Sequence, residues 1–278
     1  MKTLLYSKLS PYYDLIYAAK DYEGEARYQA QLIKKYKRSP GRDFLEIACG
    51  TGRYLEFFAQ GFTCTGLDLN PAMLRIARKR VQQARLVHGD MLTMKLGKQF
   101  DVVACLFSSI GYVRGYRNLR KAIGNFADHL KPGGVMLISP WISKEDFNVG
   151  MPYLETYESK DIKIARAVVS RLKVRDVSLM NFNWMIAERN KPVQHVDDDV
   201  HELTMHSHEG FMAAMSAAGM RGRLMRGGKA GRGLYLGVKP PNLLAPPPAV
   251  QGGDTWRKRD PRSPRSLRRS DRDTGRAR

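Results

Sequence analysis

Phe44-Leu45-Glu46-Ile47-Ala48-Cys49-Gly50-Thr51-Gly52 reads as an apolar strand running straight into a glycine-rich turn. The two glycines allow backbone torsions and a close approach that a Cβ would block. Eighteen residues beyond Gly50, Asp68 closes a second strand, Cys64-Thr65-Gly66-Leu67-Asp68-Leu69. A carboxylate in that place can accept hydrogen bonds from both hydroxyls of a ribose. Together these features put a nucleoside-bearing molecule across the carboxyl ends of a parallel sheet.

Outward from that stretch, strands and helices alternate. Strand 44–48 precedes a helix over 54–60. Strand 64–69 precedes a helix that starts at Asn70-Pro71, with proline at an early position, and runs to 82. Strand 85–88 ends in Gly89-Asp90-Met91. A fourth strand, 101–106, leads into Phe107-Ser108-Ser109-Ile110-Gly111-Tyr112. A helix over 118–130 stops at Lys131-Pro132-Gly133-Gly134, and a fifth strand covers 135–139. This rhythm predicts a parallel sheet with right-handed crossovers and helices on both faces. After Pro140 the rhythm changes. Segments 160–173, 176–188 and 195–206 alternate apolar with polar residues, as antiparallel strands do, before a helix over 209–218 and a last strand over 233–238. The boundaries expected are a helical N-terminal cap (1–40), an α/β core (41–140), an antiparallel β insertion acting as lid (141–206), a terminal helix and strands completing the core (207–240), and a tail (241–278).

The chain has 278 residues, 43% of them apolar, so a sizeable core is available. Cys49, Cys64 and Cys105 fall in or beside strands without metal-ligand spacing and read as small buried hydrophobes in a reducing compartment. Met1-Lys2-Thr3-Leu4-Leu5-Tyr6 lacks the apolar run of a signal peptide, and no stretch is long enough to span a bilayer, so a cytoplasmic protein is expected. The net charge is +20. The tail, rich in proline, arginine and serine, holds ten Lys or Arg against four Asp and reads as a solvated segment more readily than as a nucleic-acid arm, since Trp256 is its one aromatic. The excess positive charge on the body suits an anionic small-molecule substrate.

The residue three places after Gly52 is Leu55, so the dinucleotide fingerprint fails, and no Gly-Lys-Ser/Thr follows to make a phosphate-binding loop. Glu46, Gly50-Thr51-Gly52, Asp68, Gly89-Asp90-Met91 and Lys131-Pro132-Gly133-Gly134, in this order, resemble the class I S-adenosylmethionine-dependent methyltransferases over residues 42–140. The resemblance implies a Rossmann-like α/β fold, with a seven-stranded, mostly parallel sheet, helices on both faces and a late antiparallel β insertion. The cofactor it implies is S-adenosyl-L-methionine. Gly50 and Gly52 would admit its methionine part, and Asp68, followed by Leu69, would hold the ribose. Asp90 would take the adenine amine, and Met91 would pack the ring. Ala48 and Cys49 would form the floor and Leu106 the near wall.

Tyr13-Asp14-Leu15, Lys20-Asp21-Tyr22, Phe107-Ser108-Ser109-Ile110-Gly111-Tyr112, Pro140-Trp141 and Gly231-Arg232-Gly233-Leu234 are similar to the N,N-dimethyltransferases of dTDP-linked amino sugars. That resemblance implies that Tyr6 and Tyr13 close over cofactor and sugar and that Tyr112 faces the acceptor amine. Arg232 would hold the diphosphate, while Tyr22, Trp141 and Arg166 would line the sugar-nucleotide path. Ile142 stands where the family usually has a second tryptophan, and Ser139 where it usually has glutamate. A homodimer is compatible with this reading.

Rival readings stay open at this point. Methylation of another small molecule, such as a glycine-like amine, a phenol or a quinone, would use the same core. An RNA or protein methyltransferase is suggested by charge, but Leu106-Phe107-Ser108-Ser109 is not the Asn/Asp-Pro-Pro-aromatic tetrad that aligns an adenine amine. A non-catalytic binding protein with this fold is a third. His195, His201, His206 and His208 near Asp197-Asp198-Asp199 and Glu202 show no standard metal-ligand spacing and read as solvated or edge-strand histidines. Asp128-His129 reads as a helix end.

Overall fold

A computed structural model describes residues 3–226 and 233–241; Arg232 and the basic tail lie outside them. Two short 3₁₀ turns, Leu4–Tyr6 and Ser10–Tyr12, open the chain, followed by α1 (Tyr13–Ile16) and α2 (Tyr22–Tyr36). Asp21 caps α2 by accepting from Gly24 N at 2.8 Å. The alternating region then gives β1 (Asp43–Ile47), α3 (Arg53–Phe58), β2 (Thr63–Asp68), α4 (Pro71–Arg80), β3 (Arg85–His88), β4 (Phe100–Cys105), α5 (Gly115–Asp128) and β5 (Leu130–Ile138). The antiparallel strands β6 (Pro152–Glu158), β7 (Ile162–Val169), β8 (Arg171–Val174), β9 (Val177–Glu188) and β10 (Gln194–Thr204) follow. The described elements end with α6 (His208–Ala217), β11 (Arg221–Met225) and β12 (Leu234–Val238).

Seven strands form one sheet in the order β11-β12-β5-β4-β1-β2-β3. β1 to β5 run parallel, and β12 joins β5 antiparallel, with β11 antiparallel to β12. β1 and β4 sit centrally, which is why they are buried along almost their whole length rather than in alternation. Side chains still divide by period two. Val103 and Cys105 face the layer containing Leu119, Ile123 and Phe126 of α5 and Phe211 of α6. Val102 and Ala104 face Leu32 and Ile33 of α2, Phe58 of α3 and Leu74 of α4. The order reverses between β1 and β4, with β2 on one side and β5 on the other, so a crevice opens at the carboxyl ends of these strands.

The second sheet has the order β10-β9-β7-β6, with β8 paired to β9. Ile164 and Val168 of β7, Trp184 and Ile186 of β9 and Val196 of β10 bury one face against Leu5, Leu9, Tyr13 and Ile16. The N-terminal turns therefore fill the space over the inner face of the second sheet. Among the described residues no helix is long and apolar enough to cross a membrane.

The structure differs from the sequence expectation at identifiable places. β6 and β11 were not anticipated as strands. β6 is mostly solvent-facing at a sheet edge and β11 is at best half-buried at another, so neither carries the buried-exposed alternation that marks a strand. The strand expected over 160–173 is two, β7 and β8, separated at Ser170. β5 starts at Leu130, before Lys131-Pro132-Gly133-Gly134, and its irregular register with β4 between Phe100 and Val102 absorbs the extra residues. α5 starts at Gly115 rather than 118.

Candidate active site

The turn after β1 is built from left-handed residues. Ala48 has φ 56°, Gly50 φ 56° and Gly52 φ 79°. A Cβ on Gly52 would press on Val81 and Ala77 at 3.2 and 3.3 Å, so this glycine serves packing between α3 and α4. Asp68, the last residue of β2, fastens the turn. Its Oδ2 accepts from Gly50 N and its Oδ1 from Asn70 N, each at 2.8 Å. Burial lifts the Asp68 carboxyl above the ordinary range despite these donors. A second clamp comes from the N-terminal segment. Asp14 accepts from Thr51 Oγ1 at 2.8 Å and pairs with Arg80 at 2.8 Å, and Arg80 also donates to the Thr51 carbonyl at 2.7 Å.

Glu46, beneath this turn, is buried, with Oε2 unpartnered among the described residues. Desolvation, reinforced by the nearby Asp68 charge, pushes its carboxyl well above the usual value. A raised folded value means that its contribution to stability is full below about pH 4.3 and is lost as pH rises through the folded value. Glu46→Gln, which cannot ionise, will therefore gain stability on the wild type between pH 5 and 9 in urea denaturation. A gap that does not widen with pH would contradict a protonated Glu46.

The turn after β4 is strained in the same way. Phe107 (φ 51°) and Ser108 (φ 64°) are consecutive left-handed residues with side chains, costing of order 1–3 kcal/mol each. Ser108 Oγ donates to the Pro140 carbonyl at 2.7 Å, and a 3₁₀ turn over Ser109–Tyr112 follows. Gly111 is required there, because a Cβ would meet Leu203 and Trp141 at 3.0 Å. The strain delivers Tyr112 to the crevice.

A cavity of about 870 Å³ spans both turns. That lies near the top of the ~300–1,000 Å³ range of small-molecule sites and leaves room for two ligands side by side. Ala48, Gly50, Asp68, Leu69, Asp90 and Met91 line one half. Asp90 Oδ1 accepts from Leu92 N at 2.8 Å, which fixes the turn after β3. Tyr6, Tyr13, Tyr112, Trp141 and Arg166 line the other half. Four expected residues support the wall from behind instead. Cys49 and Leu106 are buried beneath the turns, Gly52 packs helices, and Tyr22 stands edge-on to Tyr54 and Phe107 in the core. Arg232 lies outside the described residues.

Arg166 is buried and already held. It pairs with Glu155, donates to Tyr17 Oη at 3.2 Å and stacks over Tyr17, Phe182 and Trp184. Trp141 donates from Nε1 to Ser178 Oγ at 3.0 Å. Lys20, part of a motif that carries the resemblance but given no role there, also reaches the cavity, paired with Glu25 and over the Phe107 ring.

His195 and His201 lie on the edge strand β10, as the sequence allows, but His201 is not solvated. His201 is buried and lines the cavity. Its Nδ1 lies 2.6 Å from Tyr112 Oη, which is 2.7 Å from Tyr6 Oη, and its Nε2 lies 3.1 Å from Asp199 Oδ1. Asp199 also accepts from Leu5 N and Trp184 Nε1 at 3.0 Å. The β10–β9 register shifts between Val196 and Asp199, and that irregularity turns one member of an acidic run inward. His206 follows β10 and donates from Nε2 to the Val113 carbonyl at 2.8 Å, and His208 begins α6. His129 does cap α5, its Nδ1 2.8 Å from the Asn125 carbonyl.

Residues 44–134 match the methyltransferase domain family. The dTDP-3-amino-3,4,6-trideoxy-α-D-glucopyranose N,N-dimethyltransferase of Streptomyces venezuelae is 38% identical over 230 residues, 81% of this chain and 95% of that protein. The chain belongs to this family of sugar N,N-dimethyltransferases. It is an S-adenosylmethionine-dependent methyltransferase. The crystal structure of Streptomyces venezuelae DesVI superposes with a TM-score of 0.78 at 36% identity, over 83% of this chain and 98% of that one. A Micromonospora echinaspora amino pentose methyltransferase, solved with S-adenosylmethionine bound, gives 0.73 at 33% identity, over 80% and 93%. The first half of the cavity fits the family's cofactor. A Cβ on Gly50 would meet only the Met73 methyl, at 3.5 Å, so the backbone is open to a ligand, and Leu69 stands 57% exposed beside Asp68.

Proposed function

We propose that this methyltransferase acts on the amino group of a dTDP-linked amino sugar and that the two halves of the cavity divide the work. The observation that carries this reading is one continuous cavity, walled by the glycine turn and Asp68 on one side and by Tyr112, Trp141 and His201 on the other. Gly50 would lie against the methionine part of the cofactor, Asp68 and Leu69 against the ribose, Asp90 and Met91 against adenine, with Ala48 as floor and Cys49 and Leu106 behind. Tyr6 and Tyr13 close the junction between cofactor and sugar. Tyr112 faces the amine, and Trp141 and Arg166, backed by Tyr22, shape the path of the sugar nucleotide.

The bound cofactor supplies an already activated sulfonium methyl, so the chain's residues chiefly hold the amine in line with it. Such positioning alone can remove ~7–11 kcal/mol of barrier. The test is methylation of dTDP-3-amino-3,4,6-trideoxy-α-D-glucopyranose, the sugar nucleotide in the relative's name, read by mass spectrometry. An amino-sugar product carrying added methyl groups supports the reading. Failure with it and with dTDP-3-amino-3,6-dideoxy-α-D-glucopyranose, alongside turnover of a quinone or RNA, would overturn it.

Arg232 is assigned to the diphosphate, because a guanidinium makes two parallel hydrogen bonds to phosphate oxygens. Arg232→Ala will raise the KM for the sugar nucleotide roughly 10–100-fold, the loss of one or two charged hydrogen bonds. Cofactor affinity, measured calorimetrically, will stay within about twofold. Equal loss of both affinities would contradict the assignment.

A further inference from the structure

We propose that His201, held by Asp199, is the terminal proton acceptor for the substrate amine, reached through the phenols of Tyr112 and Tyr6. The proposal rests on the amino-sugar reading above and names a residue for a step that reading leaves open.

The direction of the hydrogen-bond chain follows from its buried end. Asp199 is fully buried, and two of its partners, Leu5 N and Trp184 Nε1, can only donate. Burial alone would raise its carboxyl, but the bond from His201, the charge that ring carries when protonated, and the bonds from Leu5 and Trp184 outweigh that and hold it below the ordinary value. An ionised Asp199 can only accept, so His201 Nε2 carries the hydrogen, and in the neutral ring that takes up the proton Nδ1 presents its lone pair. Tyr112 Oη must then donate to Nδ1, and the Tyr112 oxygen accepts from Tyr6 Oη. Every donor of the chain is spent on its next member. The outermost oxygens face it with lone pairs, a surface that receives N–H groups and suits an amine.

Neither phenol is itself a base. Burial, reinforced by neighbouring tyrosines, drives both Tyr6 and Tyr112 upward, so each passes a proton on rather than keeping it. The other groups around the chain do not compete for this role. Phe182 stands edge-on to the imidazole with ring centres 5.2 Å apart. Tyr17 is a phenol engaged with Arg166, whose charge is met by Glu155, and Asp68 bonds the glycine turn.

The balance is simple. As the amine lone pair forms the N–C bond, the C–S bond breaks and its electron pair leaves with sulfur, so the nitrogen carries one proton in excess. That proton moves to a phenol oxygen, the phenol's own proton moves one place along, and His201 Nδ1 takes the last. An imidazolium results, paired with Asp199. The proton returns to solvent by the reverse path once product leaves, so each methyl transfer releases one proton.

His201 acts through Tyr112, so its test needs a readout that packing alone would not move. His201→Gln in the full chain will lower kcat on dTDP-3-amino-3,4,6-trideoxy-α-D-glucopyranose about 100-fold at neutral pH, within the range of general-base contributions. Calorimetric affinities for S-adenosylmethionine and the sugar nucleotide will hold within about twofold, showing that the variant folds. Its kcat will climb about tenfold per pH unit where the wild type levels off, as the free amine forms without help. Tyr112→Phe will show the same slope. A deficit equal at all pH values, or none, overturns the proposal. Independently of any substrate, ¹⁵N NMR of the histidine rings in the wild type will find His201 protonated on Nε2. A proton on Nδ1 would reverse the chain and overturn the relay. Should the wild type ignore the sugar nucleotide, the amino-sugar reading fails by itself and the NMR measurement still decides the relay.

Discussion

Asp68→Ala will weaken S-adenosylmethionine binding by about 100-fold or more in isothermal titration. The carboxylate is one end of a short circuit: Gly50 N and Asn70 N both bond to it, so it fixes the left-handed turn and sits at the cavity wall. Removing it takes away the acceptor for the ribose hydroxyls and releases the turn that should face the methionine part. Bonds to a charged group contribute about 1.5–3 kcal/mol each, and two of them account for a factor of this size. Cofactor protection against unfolding will fall with it. Saturation at about 100 times Kd adds about 2.7 kcal/mol to the wild type, and the variant at the same concentration will show almost none of this. Asp68→Asn keeps one acceptor and will lie between the two. An alanine variant that binds as tightly as the wild type would show that Asp68 only braces the turn.

The core was legible in the sequence because its signals are local. An apolar run into Gly50-Thr51-Gly52, Asp68 at a strand end and Pro71 at the start of a helix each report on a few consecutive residues. Those residues decide where β1, β2 and α4 lie. The second cavity wall is different in kind. His201 and Asp199 sit in a stretch rich in acids and histidines whose composition matches a solvated turn. Their burial comes from a shifted β10 register and from N-terminal turns packed over that sheet, contacts between residues nearly 200 positions apart. Tyr6 and Tyr112 could each be placed near the site from motif position, but their mutual bond could not. Edge strands escaped for a related reason: β6 and β11 answer to their neighbours' backbone rather than to a buried face.

The same contrast explains how the cavity is made. The parallel sheet supplies a rigid rim, with Ala48, Phe107 and Ser108 held in left-handed conformations by the packing around them. The second sheet and the N-terminal turns supply the opposite wall. Asp14 ties the two together, since it grips Thr51 and Arg80 from the segment that also carries Tyr13. The N-terminal segment and the glycine turn therefore brace one another across the cavity.

Asp101→Ala will have the largest effect on stability, a loss of about 3–5 kcal/mol in urea denaturation, the usual cost of removing one partner from a buried pair. Asp101 is the second residue of β4, at the end of the sheet away from the cavity. It is fully buried, accepts from Gly41 N at 3.0 Å and Asp43 N at 2.8 Å, and pairs with Lys131 Nζ at 2.8 Å. Lys131 also holds Asp43 at 2.8 Å, so one side chain from each of β1, β4 and β5 meets at this knot. Burial works to raise the Asp101 carboxyl, but Lys131 and the amide of Asp43 outweigh it and hold the value below the ordinary range. A depressed value means that the stabilisation is present above the unfolded value of about 3.9 and is lost as pH falls through the folded one. The gap between wild type and variant will thus be full at pH 6–7 and will close as pH drops below about 4. Cofactor affinity will not change, because the knot lies at the far ends of the strands. An undiminished gap at pH 3 would show that Asp101 contributes shape rather than charge.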